Sequence, residues 1–167
     1  LAELIFTYGE EHFARSIARS IVAARSRERI LTTGTLVAAI LAGTPAWYHK
    51  QKIHPATKTF QALRIAVNDE IGALREGLVA AIDALAPLGR LAIISFHSIE
   101  DRIVKNVLRD AALSGLGSLS LKKPIVPARA EILMNRRARS AKLRVFERVA
   151  VTHAEPTGSI APILSYV

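Results

Sequence analysis

The sequence has 167 residues, half of them hydrophobic, enough for one ordinary domain or two small lobes with a buried core. It has no cysteine, which excludes disulfides, thiolate zinc sites and cysteine nucleophiles, and no apolar run nears the roughly 18 residues of a membrane helix. Its net charge of +9 sits in two blocks, Lys50, Lys52, Lys58 and Arg64 without an acid over 31–68, and nine Lys and Arg against Glu131 and Glu147 over 122–148, a pattern that suits a polyanion such as nucleic acid.

Residues 2–25 read as helix, because Leu4, Ile5, Tyr8, Phe13, Ile17, Ile21 and Val22 recur at helical spacing, with a break expected at Gly9. The first residue, Leu1, falls inside this apolar pattern, so a longer natural chain is expected; the sequence itself carries no cleavable signal-peptide pattern. Thr33 suits the cap of a second helix over 35–41, which Gly43, Thr44 and Pro45 stop. Residues 45–54 form a basic loop carrying Trp47, Tyr48, His49, Lys50, Lys52 and His54. Pro55 then fits the first turn of one long helix. Its apolar stripe runs unbroken through Phe60, Leu63, Val67, Ile71, Leu74, Leu78, Ile82 and Leu85 to Pro87 and Gly89.

The run 90–96 is apolar and β-branched and predicts a strand buried on both faces, as in a parallel sheet. Ser98 with Asp101 resembles a capping box opening a helix to about Leu113. Residues 114–120 read as a flexible connection, with a short strand near Ile125 and a last strand over 141–151. A helix, a doubly apolar strand and another helix imply an α/β sheet most of whose strands lie outside this chain.

In open parallel sheets ligands bind at the carboxyl ends of strands, which is where His97 and Ser98 stand. His97 could bond a base or phosphate or move a proton, or simply be a turn residue; Ser98 could equally be an N-cap. Gln61, Arg64 and Asn68, with Arg75 further on, form a polar row that reads either base edges and phosphates or only solvent. Residues 135–142 pack Arg136, Arg137, Arg139 and Lys142 beside Asn135 and Ser140, a phosphate-binding composition or a basic linker. Asp69 with Glu70, and Glu100 with Asp101, are adjacent helical acids that point apart, so they read as surface or capping charges. His49 and His54 lack the further ligands of a metal site, and no G-x-G-x-x-G or P-loop is present.

Three blocks together resemble the RsmH (MraW) family, which methylates N4 of a cytosine in bacterial 16S rRNA. They are residues 54–70 (HPATKTFQALRIAVNDE), 89–105 (GRLAIISFHSIEDRIVK) and 135–148 (NRRARSAKLRVFER). Residues 6–15 (FTYGEEHFAR) add to a likeness that spans about 3–149. The resemblance implies an α/β fold: the C-terminal strands of a partial Rossmann-like methyltransferase core, preceded by part of a helical insertion domain. Residues 1–55 would end that substrate-recognition insertion, 56–150 would be the C-terminal part of the core, and 151–167 match nothing in the family.

The resemblance assigns no catalytic residue here; His97 and Ser98 are the nearest candidates. The expected RNA contacts are Lys58, Arg64, Asn68, Lys105, Arg136, Arg137, Arg139 and Lys142. The implied donor is S-adenosyl-L-methionine, with its site in an N-terminal part; the family's glycine-rich donor loop, acidic ribose ligand and Asp-containing segment are absent from this sequence. Leu88 stands where the family usually has Gly, Arg136 where it has Pro, and the 114–120 connection is shorter. The expected partner is small-subunit rRNA or the ribosomal subunit in the cytoplasm, with no metal and no membrane; a dimer is compatible with all of this. Methyl transfer to a cytosine amine needs N4 aligned with the donor methyl and its N–H groups held by acceptors. This chain would supply RNA grip and one wall of that site, and alone would be inactive. The competing reading is a non-catalytic RNA-binding or ribosome-assembly factor.

Overall fold

The computed structural model describes residues 1–150, in two compact units that divide between Gly77 and Leu78. The first unit is helical: α1 (Ala2–Gly9), α2 (Ala14–Arg27), α3 (Thr33–Ala42), a 3-10 turn (Ala46–Lys50), α4 (Thr57–Asn68) and the start of α5 (Glu70–Asp83). Ile5, Ile17, Ile21, Ile40 and the small residues Ala14, Ala18, Ala39 and Ala56 form its core, with Phe60 packed against it. Helix α1 lies close on α4, and Gly9 is what permits it: a Cβ there would stand 2.7 Å from the carbonyl oxygen of Lys58. The break expected at Gly9 is present, completed by Glu10 in the left-handed region (φ 49°).

Two expectations for this unit are corrected. The cap of α3 is Thr32, not Thr33; its hydroxyl accepts the Thr35 N–H at 3.1 Å, and the Thr35 hydroxyl accepts the Thr32 N–H in return. The long helix is two helices. Asp69 takes φ 47° and closes α4, its N–H donating to Ile65 O, and α5 starts afresh at Glu70. Apolar periodicity could not register this, because Asn68 and Asp69 are both residues that bond locally and tolerate the left-handed region. Val67, counted in the stripe, is 82 % exposed.

The second unit holds β1 (Arg90–Ser95), α6 (Ser98–Leu113), β2 (Gly117–Leu119), α7 (Arg129–Met134), a 3-10 turn (Arg136–Ser140) and β3 (Lys142–Arg148). The sheet order is β1-β3-β2, and β3 is antiparallel to both neighbours, pairing Arg90 with Glu147, Ser95 with Lys142, and Leu119 with Phe146. Helix α6 covers the sheet with a stripe of Ile103, Val104, Val107, Leu108 and Ala111, and Phe146 is wholly buried.

Here the strand over 90–95 forms as expected, but its neighbour is antiparallel and it is not buried on both faces: Ile94 is 58 % and Phe96 53 % exposed. A uniformly apolar run signals burial without saying what does the burying. Residues 114–120 are not merely a connection, since Gly117–Leu119 pairs with β3. Near Ile125 there is a single bridge to Leu143. The last strand ends at Arg148, and the part of that expectation beyond residue 150 lies outside the described residues. Leu88, where the resembled family has Gly, adopts φ 61°. That region costs a non-glycine residue roughly 1–2 kcal/mol, which gives glycine its physical advantage there.

Candidate nucleic-acid interface

The basic segment 135–142 is ordered rather than a loose linker. Asn135 Oδ1 accepts the Arg137 N–H at 3.1 Å, the Ala138 N–H donates to Asn135 O, and the Ala141 N–H donates to Ala138 O. Ala138 is buried and pins the turn, while Arg136, Arg137 and Arg139 are exposed. Among the described residues no acceptor of the chain is bonded to these three guanidinium groups. Three forked cations on one anchored turn are suited to several phosphates at once.

At the end of β1, His97 rather than Ser98 is the N-cap of α6, and Ser98 is the first helical residue. His97 Nδ1 accepts the Glu100 N–H at 3.3 Å, and Glu100 Oε2 accepts the N–H groups of Phe96 (2.8 Å) and His97 (3.2 Å). His97 Nε2 lies 3.0 Å from Glu100 Oε1, off the direction of a good hydrogen bond, so the two side chains are in close polar contact. The expected Ser98–Asp101 box is thus replaced by His97–Glu100. Asp101 is turned inward instead.

Burial alone would raise the Glu100 pKa, but the His97 contact and the two backbone N–H groups outweigh it and bring it down to about 2. A carboxyl depressed in the folded state stabilises above its unfolded value of 4.5 and loses that contribution as pH falls toward 2. Glu100→Ala should therefore cost about 1 kcal/mol at neutral pH, the usual worth of an N-terminal cap. In urea titrations at stepped pH the gap between the two proteins should close between about pH 4.5 and 2. A gap independent of pH would disprove the ionic contribution.

The remaining sequence candidates divide. Lys142 Nζ is 3.1 Å from Asp101 Oδ2, and Lys105 is exposed on α6. Arg64 and Asn68 do converge, but on the chain itself: Glu70 accepts Arg64 Nε at 2.7 Å and Nη2 at 2.9 Å, and Asn68 Nδ2 at 3.3 Å, across the break between α4 and α5. Lys58 Nζ donates to Glu10 O at 2.9 Å, and Gln61 Nε2 to Tyr8 O at 3.2 Å, so both tie α4 to α1. The polar row on α4 is largely used internally, whereas the 136–139 turn gathers three exposed cations with no bonded acid among the described residues.

The sequence reading missed three groups. Asp101 and Arg144, 8 % and 6 % exposed, form a buried bidentate pair at 2.8 and 3.2 Å. The signal was available, since Asp101 falls on the apolar stripe of α6 with Val104, Leu108 and Ala111. Glu70, a surface charge by sequence pattern, instead gathers Arg64 and Asn68. Lys123 was counted in a charge block yet not singled out; it lines an open groove of about 390 Å3 with Arg90, Ser118 and Ser120. Among the described residues no three His, Cys, Asp or Glu gather as a metal site, and no helix is long and apolar enough to cross a membrane.

Comparison with known proteins follows the same segments. Residues 1–149 match the MraW methylase family. The chain is 55 % identical over 163 residues to "Ribosomal RNA small subunit methyltransferase H" of Deinococcus radiodurans, covering 95 % of this chain and 48 % of that protein. It is 45 % identical over 164 residues to the protein of the same name from Brevibacillus brevis, covering 89 % and 52 %. Against that of Synechococcus elongatus it is 54 % identical over 150 residues, covering 89 % and 48 %. The chain spans about half the length of the curated relatives it matches. A match over 149 of 167 residues makes the chain a member of the MraW methylase family.

Proposed function

We propose that the protein acts as an S-adenosyl-L-methionine-dependent methyltransferase on N4 of a cytosine in small-subunit 16S rRNA, and that this chain contributes RNA binding and one wall of the reaction site. The observation that carries the reading is the anchored turn with Arg136, Arg137 and Arg139 outward, in a chain whose relatives are named as methyltransferases of small-subunit rRNA. Architecture supports it as well. Both β1 and β2 are antiparallel to β3, so they run parallel to each other, joined by α6. A strand–helix–strand crossover is the unit of Rossmann-like sheets, and here β3 is inserted within it. We take residues 56–150 as the C-terminal part of such a core and 1–55 as the end of a helical substrate-recognition insertion. Residues 151–167 receive no role.

Two open grooves among the described residues do not suit the donor. The groove at Lys123 has one carboxylate, Glu147, held by Arg90 at 2.6 Å. A second open groove, about 600 Å3 between His54, Phe60, Gln61 and Arg64, has none to hold ribose hydroxyls. We therefore place the donor site outside this chain and route no step through it. What these residues do is hold RNA. Arg136, Arg137 and Arg139 bind phosphates, Lys105 adds charge from α6, and the capped β1–α6 junction with His97 and Ser98 borders the place where the base is worked on. Lys142 contributes by tying β3 to α6 through Asp101, while Lys58, Arg64 and Asn68 fix α1, α4 and the start of α5 in the helical unit. The substrate is reached in the cytoplasm, on rRNA or on the small subunit.

The test is twofold. The full-length protein containing this chain, supplied with methyl-labelled donor and 16S rRNA or small subunits, should yield N4-methylcytidine on nuclease digestion; label on another atom, or none, refutes the reaction. Arg136→Ala/Arg137→Ala/Arg139→Ala should weaken RNA binding and reduce the salt slope of log K by about 2–3. An unchanged slope would remove the turn from the interface.

A further inference from the structure

We propose that Trp47, with Lys50 and Lys52 following it, is a stacking site for an unpaired base of RNA; the inference rests on the RNA-binding reading above and names a contact within it. Trp47 is 60 % exposed, an unusual state for the one Trp of the sequence. It is nevertheless rigidly mounted. Its ring meets Phe13 at 5.7 Å and Tyr48 at 5.8 Å, with interplanar angles of 64° and 86°, so neither neighbour stacks on the indole. Phe13 and Tyr48 meet in the same edge-to-face manner at 4.9 Å.

A buried carboxylate locks this trio. Glu11 is 0 % exposed; its Oε2 accepts the Tyr48 hydroxyl at 2.6 Å and its Oε1 accepts the Phe13 N–H at 2.9 Å. Burial, then Glu11, push the Tyr48 hydroxyl above its usual range, so it stays a donor to that carboxylate. The 3-10 turn carrying Trp47 is further held by Thr44 Oγ1 and His49 Nε2 at 2.8 Å. The molecule thus spends a buried acid and a tyrosine on orienting a ring that faces water.

The surroundings specify the ligand. Lys50 and Lys52 are exposed, and no acid occurs between Glu28 and Asp69. Exposed aromatic surface beside cations is how single-stranded nucleic acid is bound: the ring takes a base face and the lysines take the flanking phosphates.

The test uses the full chain and a fluorescein-labelled single-stranded RNA of about 12 nucleotides followed by anisotropy, with unlabelled RNA for Trp47 emission. RNA should quench the emission. Trp47→Ala should weaken binding by about 5- to 100-fold, and Trp47→Phe by less. The salt slope should be unchanged by Trp47→Ala, because stacking releases no counterions, and reduced by about 1.4 in Lys50→Ala/Lys52→Ala. Circular dichroism of each variant confirms the fold. RNA binding with unchanged emission and wild-type affinity in Trp47→Ala overturns the stacking site and leaves RNA binding intact. Absence of RNA binding by the wild type sinks both. Emission that changes with protein concentration alone assigns the ring to self-association and likewise overturns the site.

Discussion

Replacing Arg144 by Met should destabilise the protein by about 3–5 kcal/mol, the cost of stranding a buried charge. Asp101 is 8 % exposed and its carboxylate is gripped by Arg144 Nε at 2.8 Å and Nη2 at 3.2 Å, with Lys142 Nζ at 3.1 Å as the other cation. Burial would push its carboxyl up, but these hydrogen bonds and charges hold it below the ordinary value. Without Arg144, only the half-exposed Lys142 remains to compensate a carboxylate facing Val104 and Leu108 on the same helix stripe. Urea unfolding gives the loss directly. The double variant Asp101→Leu/Arg144→Met should recover most of it, because two apolar groups of similar volume need no partner. A loss under about 1 kcal/mol in the single variant would mean that water reaches the pair, and the reading of a buried lock would be abandoned.

The same pair shows where the sequence was readable and where it was not. Elements defined by local pattern came through: the α1–α2 break at Gly9, the strand from Arg90, the helix ending at Leu113, the strand after the basic turn. Each is encoded within one turn or one alternation. The failures in the second unit turn on partners distant in sequence. Helix α6 offers two candidate boxes in one frame, Ser98 with Asp101 and His97 with Glu100. Which one forms depends on Arg144, 43 residues away, drawing Asp101 inward. Ser98 is the better cap by composition, but its partner acid is engaged elsewhere, so His97 takes the position.

The candidate interface divides the same way. A basic block announces a polyanion without saying which cations are already neutralised. Arg64 and Asn68 look identical in sequence to free phosphate ligands, yet a left-handed Asp69 swings Glu70 back onto them. The three arginines of the 136–139 turn stay outward because their local backbone bonds are closed by Asn135 and Ala138, with no acid nearby in the chain. Trp47 was visible as a residue of a basic loop, but its mounting depends on Glu11, 37 residues from Tyr48.

Phe146→Ala should cost a further large loss, about 3–5 kcal/mol, as for other fully buried aromatic rings. The ring is 0 % exposed on the central strand, opposite Leu91 of β1 and Leu119 of β2, and it lies over Gly117. A Cβ on Gly117 would fall on the Phe146 ring, whose Cε1 is 2.7 Å away, and on the carbonyl oxygen of Glu147. Gly117→Ala should therefore destabilise as well, by about 1–3 kcal/mol of overpacking. The two losses should not add. Removing the ring relieves one of the two collisions, so Gly117→Ala should cost less in the Phe146→Ala background than alone, while the Glu147 collision keeps the residual cost above zero. Function follows from the same geometry, since β3 is the strand to which the basic turn is joined through Ala141. Phe146→Ala should loosen that turn and weaken RNA binding with its salt slope lowered, whereas a surface change on α6 should not. Full additivity of the two stability losses in urea unfolding would show that ring and glycine do not share one space, and the account of how β2 docks on β3 would fall.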